Sequence, residues 1–133
     1  MNSKIKYSPT ILAPISIGEL IDKITILEIK QINMTGIKLK NINKEMKLLK
    51  NILQDKNLEI NIDLIKNLKK INKKLWEIED NIRIKERNQE FDEEFIKLAR
   101  SVYIENDKRA SIKKEINQKY NSNLVEEKSY KNY

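Results

Sequence analysis

No cysteine and no histidine occur in the 133 residues of this chain. Without thiol or imidazole there is no disulfide framework, no thiolate chemistry, no ordinary zinc site and no Ser-His or Cys-His nucleophile system. Glycine and proline are nearly missing too, being confined to Gly18, Gly36, Pro9 and Pro14. A chain so poor in breakers is poor in turns, which points to long helices. No apolar run approaches the roughly 18 residues of a membrane span, so no membrane is expected as a partner. The N-terminal "MNSKIKYSPTILAPISIGEL" sets Lys4 and Lys6 ahead of an apolar patch, as a signal peptide would. Pro14 and Ser16 interrupt that patch and no small-residue cleavage site follows, so the chain reads as soluble and cytoplasmic.

What is abundant is Lys, Ile and Asn, at 23, 23 and 16 residues. All three have AT-rich codons, so base composition accounts for much of the bias and weakens any inference from the formal charge of +7. The charge is nonetheless segregated. Residues 38–74 carry eleven Lys against four acids, a net of +7, whereas residues 77–94 carry eight acids against three bases, a net of −5. Such a dipolar chain suggests complementarity within the fold or between copies of it.

Four apolar stripes organise a single domain over residues 1–133. Residues 1–15 read as an extended arm, after which "SIGE" offers a capping box with Ser16 as N-cap and Glu19 three residues on. Ile17, Leu20, Ile21, Ile24 and Leu27 follow at helical spacing, and Gly36 suits the C′ position of that first helix. Leu39, Ile42, Met46, Leu49 and Leu53 mark a second helix, antiparallel to the first because the connection is short. Leu64, Leu68, Ile71, Leu75, Ile78 and Ile82 predict a third over about 62–87. Asp92 should cap a fourth that runs to about residue 121, with 122–133 as a C-terminal tail. The expected architecture is an all-α bundle of about four helices built from antiparallel hairpins, with an extended N-terminal segment.

Three segments carry a resemblance: "PISIGELIDKITILEIK" at 14–30, "LWEIEDNIRIKE" at 75–86 and "FIKLARSVYIENDKRASIKKEIN" at 95–117, with "EEKSY" at 126–130 as a weaker fourth. Together they resemble an uncharacterised family of small bacterial proteins, a domain of unknown function. The resemblance implies no activity, substrate or catalytic residue; it does imply company with surface-polysaccharide enzymes.

Two E-x-x-D pairs, Glu19/Asp22 and Glu77/Asp80, have the spacing of Mg²⁺ ligands on a helix face. Both lie nearly opposite their helices' apolar stripes, so they read as solvated acids, and neither a metal nor a cofactor is expected. Acids and amides out of place are better candidates. Glu28 sits within the first stripe, and Asn72, Glu79 and Glu86 recur beside the third. All four arginines fall between 83 and 109. A guanidinium is the usual partner of a partly buried carboxylate, so Glu28, Glu79, Arg100 and Arg109 are expected to form a network. On the fourth helix Asn106 and Lys113 share the phase of Ala99, Val102 and Ala110. With Tyr103, Asp107, Arg100 and Arg109 they compose a semi-buried polar seam in which Arg109 and Lys113 approach one acid, Glu28 or Glu79.

The candidate binding residues are therefore Glu28, Glu79, Arg100, Tyr103, Asn106, Asp107, Arg109 and Lys113. The favoured reading is a non-catalytic module for protein–protein interaction or self-association. The alternative is a small enzyme or sensor that binds an anionic, phosphorylated metabolite through the seam. Nucleic acid is disfavoured, because the Lys run at 66–74 has one aromatic nearby and no nucleic-acid motif.

Overall fold

A computed structural model describes residues 10–133, and the first nine residues of the expected arm lie outside the described residues. Four helices and no strand are found there: α1 (Ile17–Asn33), α2 (Gly36–Asp55), α3 (Ile62–Arg87) and α4 (Glu93–Lys119). Residues 10–16 carry no secondary structure.

The helix starts follow the side-chain chemistry. Ser16 accepts a hydrogen bond from the Glu19 amide, Asn61 from Asp63 and Leu64, and Asp92 from Phe95. Each satisfies donors that the helix itself leaves open. The ends are closed without glycine. Asn57, Gln89 and Asn121 stand in the left-handed region just past α2, α3 and α4, at φ of 53°, 56° and 51°. The following amides reach back to Leu53, Lys85 and Asn117, so all three ends are Schellman closures. Gly36 does not close α1 as expected. It opens α2 at φ 65°, while Met34 ends α1 in an extended conformation.

Helix α1 is the hub. It packs against α2, α3 and α4, whereas α2 approaches no helix backbone but that of α1. On one side Leu27 meets Ile42 and Met46. On the other Ile21 joins Leu64, Leu68 and Ile116, all nearly inaccessible to solvent. Between Ile17 and Ile29, Lys23 is the only exposed residue of α1. The first helix therefore has no free outer face, unlike the surface helices for which opposite phase means solvent.

Helices α3 and α4 are the longest pair and outrun α1. Buried residues end at Ile78 on α3 and resume at Glu105 on α4. Between them projects a two-helix arm of which no residue is buried. At 1.5 Å per residue, the last nine residues of α3 extend it by roughly 14 Å.

Helices α1 and α4 cross closely at Gly18. A Cβ there would stand 2.5 Å from the Lys113 carbonyl oxygen and 2.9 Å from Asn117 Oδ1. Asn117 Oδ1 also accepts the Gly18 amide at 2.6 Å. Gly18→Ala should force the helices apart and cost about 1–3 kcal/mol, although alanine is the better helix former. A urea midpoint equal to or above that of the wild type would contradict this account of the crossing.

Candidate functional site

The polar seam is centred on Asp22, which is fully buried on α1. Its Oδ1 accepts hydrogen bonds from Asn72 Nδ2 of α3 at 2.8 Å and from Arg109 Nε of α4 at 3.0 Å. Arg109 Nη2 bonds to Oδ2, which makes the pair bidentate. Asn72 Nδ2 also donates to Thr25 Oγ1 at 2.9 Å, and the Thr25 hydroxyl donates to the Asp22 carbonyl. One carboxylate thereby ties three helices together.

Lys113 lies one turn along α4 from Arg109 and is itself buried. Its Nζ stands 2.6 Å from Glu19 Oε2, 3.1 Å from Glu126 Oε1 and 3.7 Å from Asp22 Oδ2. Burial works against its charge, yet the hydrogen bonds to Glu19 and Glu126 and the field of Asp22 prevail, so its pKa is raised. The hydrogen bond to Asp22 raises the pKa of Arg109 in the same way, against burial. The Lys113 ammonium holds the Glu126 carboxyl below the ordinary range. Two cations thus face three carboxylates, and the seam is charge-satisfied from within.

A second buried acid, Glu105, lies on α4 at 3% exposure. Lys74 of α3 approaches it to 2.7 Å, and Lys108 Nζ stands 3.2 Å from Oε2 without a well-directed hydrogen bond. The Lys74 contact lowers the Glu105 pKa against the opposing effect of burial.

The tail docks. Ser122 Oγ accepts the Ile17 amide at 3.0 Å, and Glu126 reaches Lys113. The Tyr133 hydroxyl donates to Asp107 at 2.7 Å, and its ring meets that of Tyr103 edge-on at 5.1 Å. The last residues therefore run back along α4, with a groove of about 580 Å³ between tail and helix. A smaller groove of about 420 Å³ has Ile26, Leu75, Trp76, Glu79, Asn106 and Arg109 among its lining residues.

Several expected placements require correction. Arg109 and Lys113 do converge on one acid, but that acid is Asp22, not Glu28 or Glu79. Glu28 is half-buried with Lys69 at 3.9 Å, where a flexible ammonium near solvent serves in place of a guanidinium. Glu79 is exposed on the arm and pairs with Arg83 one turn away. Arg100 is exposed and makes no ion pair among the described residues. Asn106 stays beside the seam, 3.5 Å from Arg109 Nη1. Tyr103 and Asp107 are exposed and hold the tail rather than the seam. Glu19 and Asp22 were assigned to solvent by phase, an inference that fails because α1 is covered on all sides. The visible signal was Asp22 standing four residues before Ile26 and seven before Ile29. No group of three or more metal-ligating side chains is assembled among the described residues.

The model of a family of unknown function, DUF6165, matches residues 11–133. The chain belongs to that family. The match takes in the seam, the arm and the docked tail. No curated protein and no solved structure matches the chain. Among the described residues no helix is long and apolar enough to cross a membrane.

Removing Asp22 would strand the half-buried guanidinium of Arg109, so Asp22→Ala should cost about 3–5 kcal/mol. Glu28→Ala should cost under about 1 kcal/mol, because its lysine partner is exposed. Comparable losses in urea unfolding would remove Asp22 from the centre of the fold.

The acid limb of stability should report Glu105. Its folded pKa lies below the unfolded value of about 4.3, so its contribution is present above that pH and lost as pH falls through the depressed value. Glu105→Gln should flatten the fall of the unfolding midpoint below about pH 4. An unchanged acid limb would mean that the lysine contacts do not hold in solution.

Proposed function

We propose that this member of the family is a non-catalytic cytoplasmic module that works by binding another protein through the α3–α4 arm. One observation carries the reading. From residue 79 to residue 104 no side chain is buried, yet the arm displays Ile84, Phe91 and Ile96 at 44%, 52% and 54% exposure. Phe91 and Phe95 meet edge-on at 5.3 Å and give the tip an aromatic cap with little beneath it. A helix pair with so thin a core gains little from burial in isolation, whereas a partner laid across it would cover these side chains.

The seam supports the same reading from the other direction. A phosphorylated metabolite would need several donors free to converge on it. Arg109 spends its fork on both oxygens of Asp22, and Lys113 spends its ammonium on Glu19 and Glu126. An entering phosphate would have to displace three carboxylates, so the seam serves better as a fastener than as an anion pocket.

The test is photo-crosslinking in living cells, with p-benzoylphenylalanine placed at Phe91 or Ile96 and, as control, at the exposed Lys119. The arm positions should give a discrete protein adduct that the control position lacks. Arm positions that give no adduct, or the same pattern as Lys119, would overturn the reading.

A further inference from the structure

The arm is one half of a complementary pair, and the other half is on the same chain. Helix α2 is apolar on two opposite sides. Ile42 and Met46 face α1, while Ile37, Leu48 and Ile52, within about 60° of one another at 100° per residue, lie on the far side. These three are 78%, 47% and 41% exposed, and no other helix backbone approaches them. Lysines surround this outer stripe: residues 36–56 hold six Lys against Glu45 and Asp55, a net of +4. The arm, residues 79–104, holds seven acids against five bases, a net of −2, with all of its acids at 79–94. Lys85 takes up part of that charge through Glu90 and Asp92, and the exposed Glu86, Glu93 and Glu94 remain.

We propose that the partner of the arm is a second copy of this chain, the acidic apolar arm of one copy lying on the lysine-rich outer face of α2 in the other. This rests on the reading of the arm as a protein-binding surface. Within one chain the two halves do not meet, because the only helix backbone that approaches α2 is that of α1. Two chains meet both needs at once: the exposed apolar residues of each surface are covered, and the −2 of the arm is set against the +4 of α2. Each copy offers one arm and one α2, so two reciprocal contacts close a twofold dimer with no half left open. The dimensions agree, since the α2 stripe from Ile37 to Ile52 is roughly 22 Å long and the α4 part of the arm about 18 Å.

Charge reversal tests the pairing itself. In one variant Lys40→Glu, Lys44→Glu and Lys47→Glu take residues 36–56 from a net of +4 to −2, acidic like the arm. In the other Glu93→Lys and Glu94→Lys take the arm, residues 79–104, from a net of −2 to +2, basic like α2. All five residues are exposed, and far-UV circular dichroism checks that both variants keep their helices. Each variant alone sets like charges at both contacts, whereas a mixture restores opposite charges at both. Light-scattering mass at about 50 mM salt should show the wild type at twice 15.8 kDa, each variant alone at one chain, and the mixture again at two. At about 500 mM salt the wild-type dissociation constant should rise at least about tenfold, as screening shortens the reach of the charges. A wild type that stays at one chain up to about 200 μM, which would populate a dimer of micromolar affinity, overturns the inference. Variants that dimerise alone as well as the wild type, or a mixture that does not, overturn the α2–arm pairing. A monomer whose arm still crosslinks to a different protein defeats self-pairing and leaves the module reading in place, whereas an arm that gives no adduct defeats both.

Discussion

A buried carboxylate must find its charge answered, and the geometry of this bundle follows from how Asp22 meets that demand. Taking an isolated carboxylate out of water costs several kcal/mol even after relaxation. The fold offsets this by bringing Arg109 from 87 residues away and Asn72 from 50 residues away onto the same oxygens. Once those contacts are set, the rotation of α1 about its axis and its height along α3 and α4 have no freedom left. Gly18 then lies where α4 passes closest, and Lys113 lies where Glu19 and the tail can reach it. An apolar seam of equal volume would hold the helices as firmly but fix their register less tightly, since apolar side chains tolerate sliding.

Much of this was legible before any coordinates. The stripes located all four helices, and Ser16 and Asp92 cap α1 and α4 as their side chains suggest. Phase placed Arg109 and Lys113 on one acid, and Asn72 among the polar residues of the interior. The acid itself was hidden because phase was measured against one apolar stripe, as though α1 had an outside. Ile26 and Ile29 lie off that stripe, and a helix apolar on nearly every side belongs at the centre. Glu105 and Asn117 were hidden for another reason. Their burial depends on Lys74, Lys108 and Gly18, which are distant in sequence and carry no local mark. Only the role of Gly36 was misread: it opens α2 rather than closing α1, while asparagine and glutamine take the left-handed position at the ends of the other three helices.

The two ends of the α3–α4 pair are held by different means. Near the termini, α1, the tail, Tyr120 and the seam bind the helices from several directions. The Tyr120 hydroxyl accepts the Asn61 amide at 2.6 Å, which pins the start of α3 to the end of α4. Toward the tip there are only the meeting faces of the two helices, the Phe91–Phe95 pair and the Lys85 contacts. One continuous hairpin is therefore rigidly seated at its base and lightly supported at its end, a division that suits a base for stability and an end for contact.

The hub also sets an order of assembly. Helix α1 leaves the ribosome first, but the groups that answer its buried side come last: Arg109, Lys113 and Ser122 lie 87, 94 and 105 residues further along. During most of synthesis α1 has only α2 to lie against, and Asp22 remains in water. That hairpin can form early, because its contacts are local. The seam closes only when α4 and Glu126 beyond it arrive, with residues 122–133 folding back along α4 as they do so. A translation product truncated before α4 would carry every residue of the first hairpin and still expose the face of α1 that the complete protein hides.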